Sequence, residues 1–213
     1  GDFHLKHEWR KKEKSIYLPK QTPSFISLQP MNYFTIEGAG NPNSEAFSDA
    51  VGALYAMSYG IRMAPKKGIH PEGYFEYTVY PLEGFWSLND KGIEDYKAHQ
   101  TFNKDDLLFK LMIRQPDFVT ETFALETIAR ISKDKPHPYN EEIKFETIEE
   151  GNSVQALHIG PYDTESETFN KINDFCETNS YIRLSPTHKE IYLSDPRKTV
   201  PEKCKTVLRI AVK

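Results

Sequence analysis

The feature that most constrains this chain is an order of elements that occurs twice. In the first half, Ser24–Gly38 reads as strand broken at Pro30, because proline has no amide to give to a ladder. It ends at Gly38-Ala39-Gly40-Asn41-Pro42-Asn43, a strong turn signal. Ala46, Phe47, Ala50, Val51, Leu54, Tyr55, Ser58 and Tyr59 then recur at helical spacing. Beyond a loop rich in Pro, Gly and Lys (65–73), Phe75–Trp86 alternates as a strand and Leu107–Arg114 forms another. Asp117 or Thr120 opens a trailing helix that reaches about Ile131. In the second half, Ile143–Glu149 and Ser153–Ile159 are strands around the tight turn Glu150-Gly151-Asn152. Thr164-x-x-Glu167 reads as a capping box that starts a helix through about Thr178, burying Phe169, Ile172, Phe175 and Cys176. Strands at Glu190–Ser194 and Thr206–Val212 follow.

Strand, helix, strand, strand therefore appears in tandem. Tyr77–Pro81 and Glu190–Pro196 fall in the same slot, and Lys110-x-x-x-Arg114 matches Lys205-x-x-x-Arg209. The reading is an α+β fold of two modules, 23–132 and 143–213, paired about a pseudo-twofold axis. Neither module can bury both faces of a short sheet alone, so pairing predicts a shared core and a central ligand pocket. Residues 1–22 form a basic N-terminal extension. Segments 87–106 and 132–142 are polar connectors.

A net charge of −4 over 213 residues gives no broad basic field for nucleic acid. Residues 4–14, HLKHEWRKKEK, are locally basic but include Glu8 and Glu13, which favours a solvated helix over a nucleic-acid arm. Two isolated cysteines, Cys176 and Cys204, fit a reducing compartment. With no apolar run of membrane-spanning length and no secretory core at the charged N-terminus, the expected location is cytoplasmic, without membrane contact. One internal pseudo-dimer already satisfies the fold, so a monomer is expected.

Several chemistries lack their motifs. Gly38-x-Gly40 stops short of a dinucleotide loop, and no Gly-x-Ser-x-Gly elbow occurs. The seven histidines are scattered without metal-ligand spacing, so neither a metal nor a cofactor is expected. His158, in mid-strand, reads as structural, and Cys176 as core. What remains is acidic and aromatic. In a strand over Glu190–Ser194, Glu190 and Tyr192 share one face while Ile191 and Leu193 share the other. Either this is a solvated edge or the carboxylate and phenol meet at a cavity. Tyr80–Trp86 (YPLEGFW) sets Glu83 beside Phe85 and Trp86, and Tyr55 and Tyr59 lie one helical turn apart. For the aromatics, core and pocket stand as equal readings. A carboxylate among such neighbours is solvated, paired or functional, because burying it alone costs several kcal/mol.

Gly160-Pro161-Tyr162 before a helix, the run Glu190–Arg197 (EIYLSDPR) after it, Pro81–Trp86 (PLEGFW), Gly40–Asn43 and Leu111–Asp117 together resemble the GyrI-like small-molecule-binding proteins over nearly the whole chain. The resemblance implies two such modules around a pocket with a central acid, placed here at Glu190. It implies a stand-alone member, since residues 1–22 hold no helix-turn-helix domain. Some stand-alone members hydrolyse cyclopropane-bearing DNA-alkylating natural products, the cyclopropanoid cyclophanes, and so protect the cell. On that reading Glu190 and Tyr192 are the catalytic residues, and Glu83, Phe85, Trp86, Tyr55, Tyr59 and Tyr162 bind planar, hydrophobic or cationic ligands. The alternative is a non-catalytic multidrug sponge or sensor. Shielding of DNA gyrase, which the family name suggests, finds no marked partner surface here.

Overall fold

A computed structural model describes residues 5–213; the first four residues of the N-terminal extension lie outside that range. The elements in chain order are α1 (Trp9–Lys12), α2 (Lys14–Tyr17), β1 (Ser24–Leu28), β2 (Met31–Ala39), α3 (Glu45–Arg62), β3 (Leu82–Leu88), α4 (Asp90–His99), β4 (Leu107–Arg114), α5 (Glu121–Asp134), β5 (Lys144–Ile148), β6 (Gly151–Ile159), α6 (Glu165–Thr178), β7 (His188–Tyr192) and β8 (Lys205–Ala211). The fold is α+β, and strand, helix, strand, strand recurs as β2-α3-β3-β4 and β6-α6-β7-β8.

Two compact units divide the chain, and they are not the two sequence halves. One holds 5–7, Met31–Tyr80 and Trp86–Ile148; the other holds Glu8–Pro30, Pro81–Phe85 and Glu149–Lys213. The difference is an exchange of strands. β1 precedes β2 but pairs antiparallel with β6, Ser24 against Gln155. β5 precedes β6 but pairs with β2, Phe145 against Phe34. Pro30, the break expected between β1 and β2, is where the chain passes from one unit to the other.

In the unit built on β2, β4 and β5, α3 and α5 pack together. Ser44 caps α3 by accepting from the Phe47 amide, and Thr120 caps α5 by accepting from the Phe123 amide. Gly60 lets the helices close, since a Cβ there would sit 2.7 Å from Ile131 Cγ1. Two expectations fail in this unit. Phe75–Pro81 is not a strand: Pro81 interrupts it, and Tyr74, Phe75 and Tyr77 gather edge-on or tilted around Phe118 with ring centroids 5.0–6.0 Å apart. Segment 87–106 is not merely a connector, because Asn89 accepts from the Gly92 amide at 2.8 Å and starts α4.

In the other unit the strands run β1-β6-β8-β7, with Leu82–Phe85 of β3 beyond β7. Val154, Ala156, Leu208 and Ile210 alternate onto the α6 side and bury Ile172 and Cys176 against it. The 4–14 segment is not a solvated helix where it is described. α1 and α2 are single turns whose Trp9 and Tyr17 are buried, and Arg10 donates to the Leu193 carbonyl at 2.8 Å. The expected capping box is also absent. A short 3-10 turn over Tyr162–Thr164 precedes α6, so Thr164 already has near-helical backbone and its hydroxyl donates to the Pro161 carbonyl at 3.0 Å.

Candidate functional site

Cross-strand register decides what β7 presents on each side. Lys189 lies opposite Arg209, which lies opposite Gln155, so these three form a row on the side away from α6. Glu190 lies opposite Leu208, on the side that packs α6. With a period of two, His188 and Tyr192 join Glu190 on that side.

The Lys189 row is held by ion pairs, with Glu83 Oε2 buried and without a hydrogen-bond partner among the described residues. Lys189 Nζ reaches Glu83 at 2.8 Å and Glu150 at 2.9 Å, with all three side chains nearly inaccessible. Arg209 donates to both Glu150 oxygens at 3.2 and 3.3 Å, to Gln155 Oε1 at 2.9 and 3.0 Å, and to the Ile16 carbonyl at 3.1 Å. Lys189 also lies over the Phe85 ring at 4.6 Å. Two carboxylates thus meet two basic side chains. Burial opposes the charge of Glu150, but Lys189 and Arg209 outweigh it and hold its carboxyl at about 2. Glu83 pairs with Lys189, and burial pushes its carboxyl up.

The Glu190 side is built differently. His188 Nε2–H donates to Glu190 Oε2 at 2.7 Å, and Tyr192 OH donates to Glu190 Oε1 at 3.0 Å. The His188 ring stands edge-on to Phe169 of α6, centroids 4.7 Å apart, and Tyr162 is edge-on to Tyr192 at 6.3 Å. Glu165, the first residue of α6, completes the group: carboxylate oxygens of Glu165 and Glu190 and a ring nitrogen of His188 lie within 4.8 Å of one another. Glu190 is 8% exposed and the His188 side chain 22%, so the cluster reaches solvent through the imidazole.

Burial, the Glu190 charge and a hydrogen bond to Glu190 together hold the Glu165 carboxyl far above the usual range. The start of a helix favours an anion by about 0.3–1 kcal/mol. Two carboxylates in contact repel by roughly 4 kcal/mol at an effective dielectric of about 20, so the repulsion wins. Burial, then the Glu190 charge, push the Tyr162 phenol to about 12, and it stays a neutral donor.

The backbone that delivers Glu165 turns at Gly160, whose φ is +137° and whose added Cβ would meet Thr164 Oγ1 at 3.2 Å. His158 secures this turn. Its Nε2–H donates to the Pro161 carbonyl at 2.9 Å while Nδ1 shares a 2.7 Å bond with the Thr168 hydroxyl, the structural role expected of it.

Of the residues read as functional, Glu190, Tyr192 and Tyr162 come together here. Glu83 and Phe85 instead surround Lys189. Trp86 packs on Phe47 and Phe109 in the core of the β2 unit. Tyr55 and Tyr59 stack on each other along α3, also in that unit, with Tyr59 half exposed. His188 and Glu165 were not marked by sequence. Extending the β7 alternation back by two residues finds His188, whereas nothing local marks Glu165. Both cysteines are free and buried. Among the described residues no helix is long and apolar enough to cross a membrane.

Residues 93–213 match the model of the GyrI-like small molecule binding domain. A Listeria innocua protein described as a hydrolase is 37% identical, with 98% of this chain and 100% of that one aligned at a TM-score of 0.88. An uncharacterized conserved protein from Listeria innocua is 38% identical with the same coverage and TM-score. The EcmrR C-terminal domain, 14% identical with 90% of this chain and 96% of its own aligned, has a TM-score of 0.51 and supports the fold alone. No curated protein matches the chain significantly.

Proposed function

The chain belongs to the GyrI-like small molecule binding domain family, and from that premise we propose that it hydrolyses cyclopropane-bearing, DNA-alkylating small molecules at Glu190. The observation that carries this reading is a carboxylate held from both sides, by the His188 N–H and the Tyr192 hydroxyl, at the edge of solvent. Such a group is oriented to take a proton from water. The description of a 37% identical Listeria innocua protein as a hydrolase points the same way.

In the proposed reaction a water oxygen bonds to the cyclopropane methylene carbon. The ring C–C bond breaks, and its electron pair passes through the conjugated dienone to the carbonyl oxygen, which takes up a proton and becomes a phenol. Glu190 receives the proton lost by water and returns it to solvent. The product is the substrate plus one water. Tyr192 fixes the Glu190 carboxylate, and Tyr162, with its neutral phenol, is placed to donate to a ligand oxygen. Phe169 and the two tyrosines offer flat surfaces to an aromatic ligand.

The test is incubation with a duocarmycin-type compound and mass spectrometry of the products. The hydrated, ring-opened compound is expected from the wild type, and a loss of about 10²–10⁴-fold from Glu190→Gln, the range of general-base catalysis. Unchanged turnover in a folded Glu190→Gln would remove Glu190 from the mechanism. A second reading, a multidrug binder without chemistry, is favoured by an enclosed carboxylate beside aromatic rings, which attracts planar cations. It predicts saturable dye binding with the ligand recovered intact.

A further inference from the structure

We propose that Glu165 and Glu190 act as one acid pair carrying a single proton at neutral pH, with Glu165 holding that proton as the positioning residue of the site. The inference rests on Glu190 as the working carboxylate and adds the partner that sets its charge.

Geometry gives the first support. Side-chain oxygens of Glu165 and Glu190 and a ring nitrogen of His188 converge within 4.8 Å, and the only basic partner of either carboxyl among the described residues is His188, on Glu190 Oε2. One titratable imidazole does not neutralise two carboxylates in contact, so one of them keeps a proton. The second support is the bonding of Glu165. Its Oε2, beside Glu190, is buried and has no hydrogen-bond partner among the described residues. An ionised Glu165 would leave a buried negative oxygen unsolvated. A protonated one gives its O–H to Glu190 and leaves a neutral acceptor for the water or ligand that enters. The raised pKa of Glu165 has the same two causes, burial and Glu190.

The groups facing the pair are His188 and Tyr192 from β7, and Tyr162 from the turn before α6. Cys204, ahead of β8, acts on Tyr162. The neutral Tyr162 adds no charge. In turnover the pair goes from one negative charge to none as Glu190 accepts the water proton, and returns when that proton leaves to solvent.

The experiment is carbon-13 NMR of glutamate side chains in the ligand-free full chain across pH. Glu165 and Glu190 are expected to titrate as one pair in two separated steps, the upper step above neutral. Glu165→Gln removes the upper step. Glu190→Gln keeps a carboxyl at 165 but lowers its step, because the like charge is gone. If turnover is present, its alkaline limb disappears in Glu165→Gln. Two ionised carboxylates at neutral pH would overturn the proposal. So would a divalent ion in place of the proton, read as added Zn²⁺ or Mn²⁺ perturbing the same resonances at stoichiometric concentration. The titration does not depend on any substrate, so a pair that titrates as stated in a protein that hydrolyses nothing sinks the hydrolase reading and leaves this one standing.

Discussion

Strand β7 has two faces, and each holds two glutamates. On the Lys189 face, Glu83 and Glu150 meet two basic side chains, Lys189 and Arg209. On the Glu190 face, Glu190 and Glu165 meet one imidazole and a phenol. The sheet register alone separates them: neighbours in sequence, Lys189 and Glu190 point to opposite sides. Buried charge becomes architecture where countercharges match it and chemistry where they fall short. A matched cluster has no reason to bind anything further. An unmatched one responds to protons, waters and cationic ligands.

The comparison breaks most clearly at Lys189. Lys189→Met leaves Glu83 and Glu150 with Arg209 alone, and the loss of one partner from a buried pair costs about 3–5 kcal/mol. Chemical denaturation should show that loss, whereas Glu190→Gln, which leaves no buried charge without a partner, should leave the midpoint nearly unchanged. Equal destabilisation by both would erase the distinction between the faces.

The faces also differ in the sign of their pH dependence. Glu150 is held below its ordinary value, so its contribution is present above the normal carboxylate range and is lost as pH falls toward about 2. Glu165 is raised, so its contribution is full below the normal range and declines as pH rises toward its folded value. Each proton so linked changes stability by about 1.4 kcal/mol per pH unit within its window. Thermal melts from neutral to alkaline pH should therefore slope downward in the wild type and flatten in Glu165→Gln. A wild-type curve already flat there would remove the linkage.

The smallest expected effect is that of Tyr192→Phe. One hydrogen bond to Glu190 is lost, worth about 0.5–1.5 kcal/mol, and most of it should appear as reduced ligand affinity or turnover rather than as a shift in melting. Ligand titration and calorimetry on the same sample would separate the two.

These faces also show how far the sequence could be read. Glu83 and Glu190 look alike locally, each a carboxylate among aromatic and aliphatic neighbours. Their fates diverge because Lys189 comes from another strand to meet Glu83, a pairing that depends on strand order rather than spacing. The repeated strand-helix-strand-strand order was legible because apolar periodicity is local, and so was the break at Pro30. α4 was hidden by a polar composition, its start fixed by one asparagine cap. His188 was within reach of the alternation rule. Glu165 was not, because its place depends on the Gly160 turn and on α6 docking over β8.

The exchange of β1 and β5 reaches into how the chain is made. Ser24 waits for Gln155, across more than half the chain's length, so the first half leaves the ribosome with an orphaned strand and a partner strand still unsynthesised. Closing so long a loop is slow. In the interval, β1 of one molecule can be completed by β6 of another, so crowded refolding should yield interlocked dimers that dilution during folding prevents.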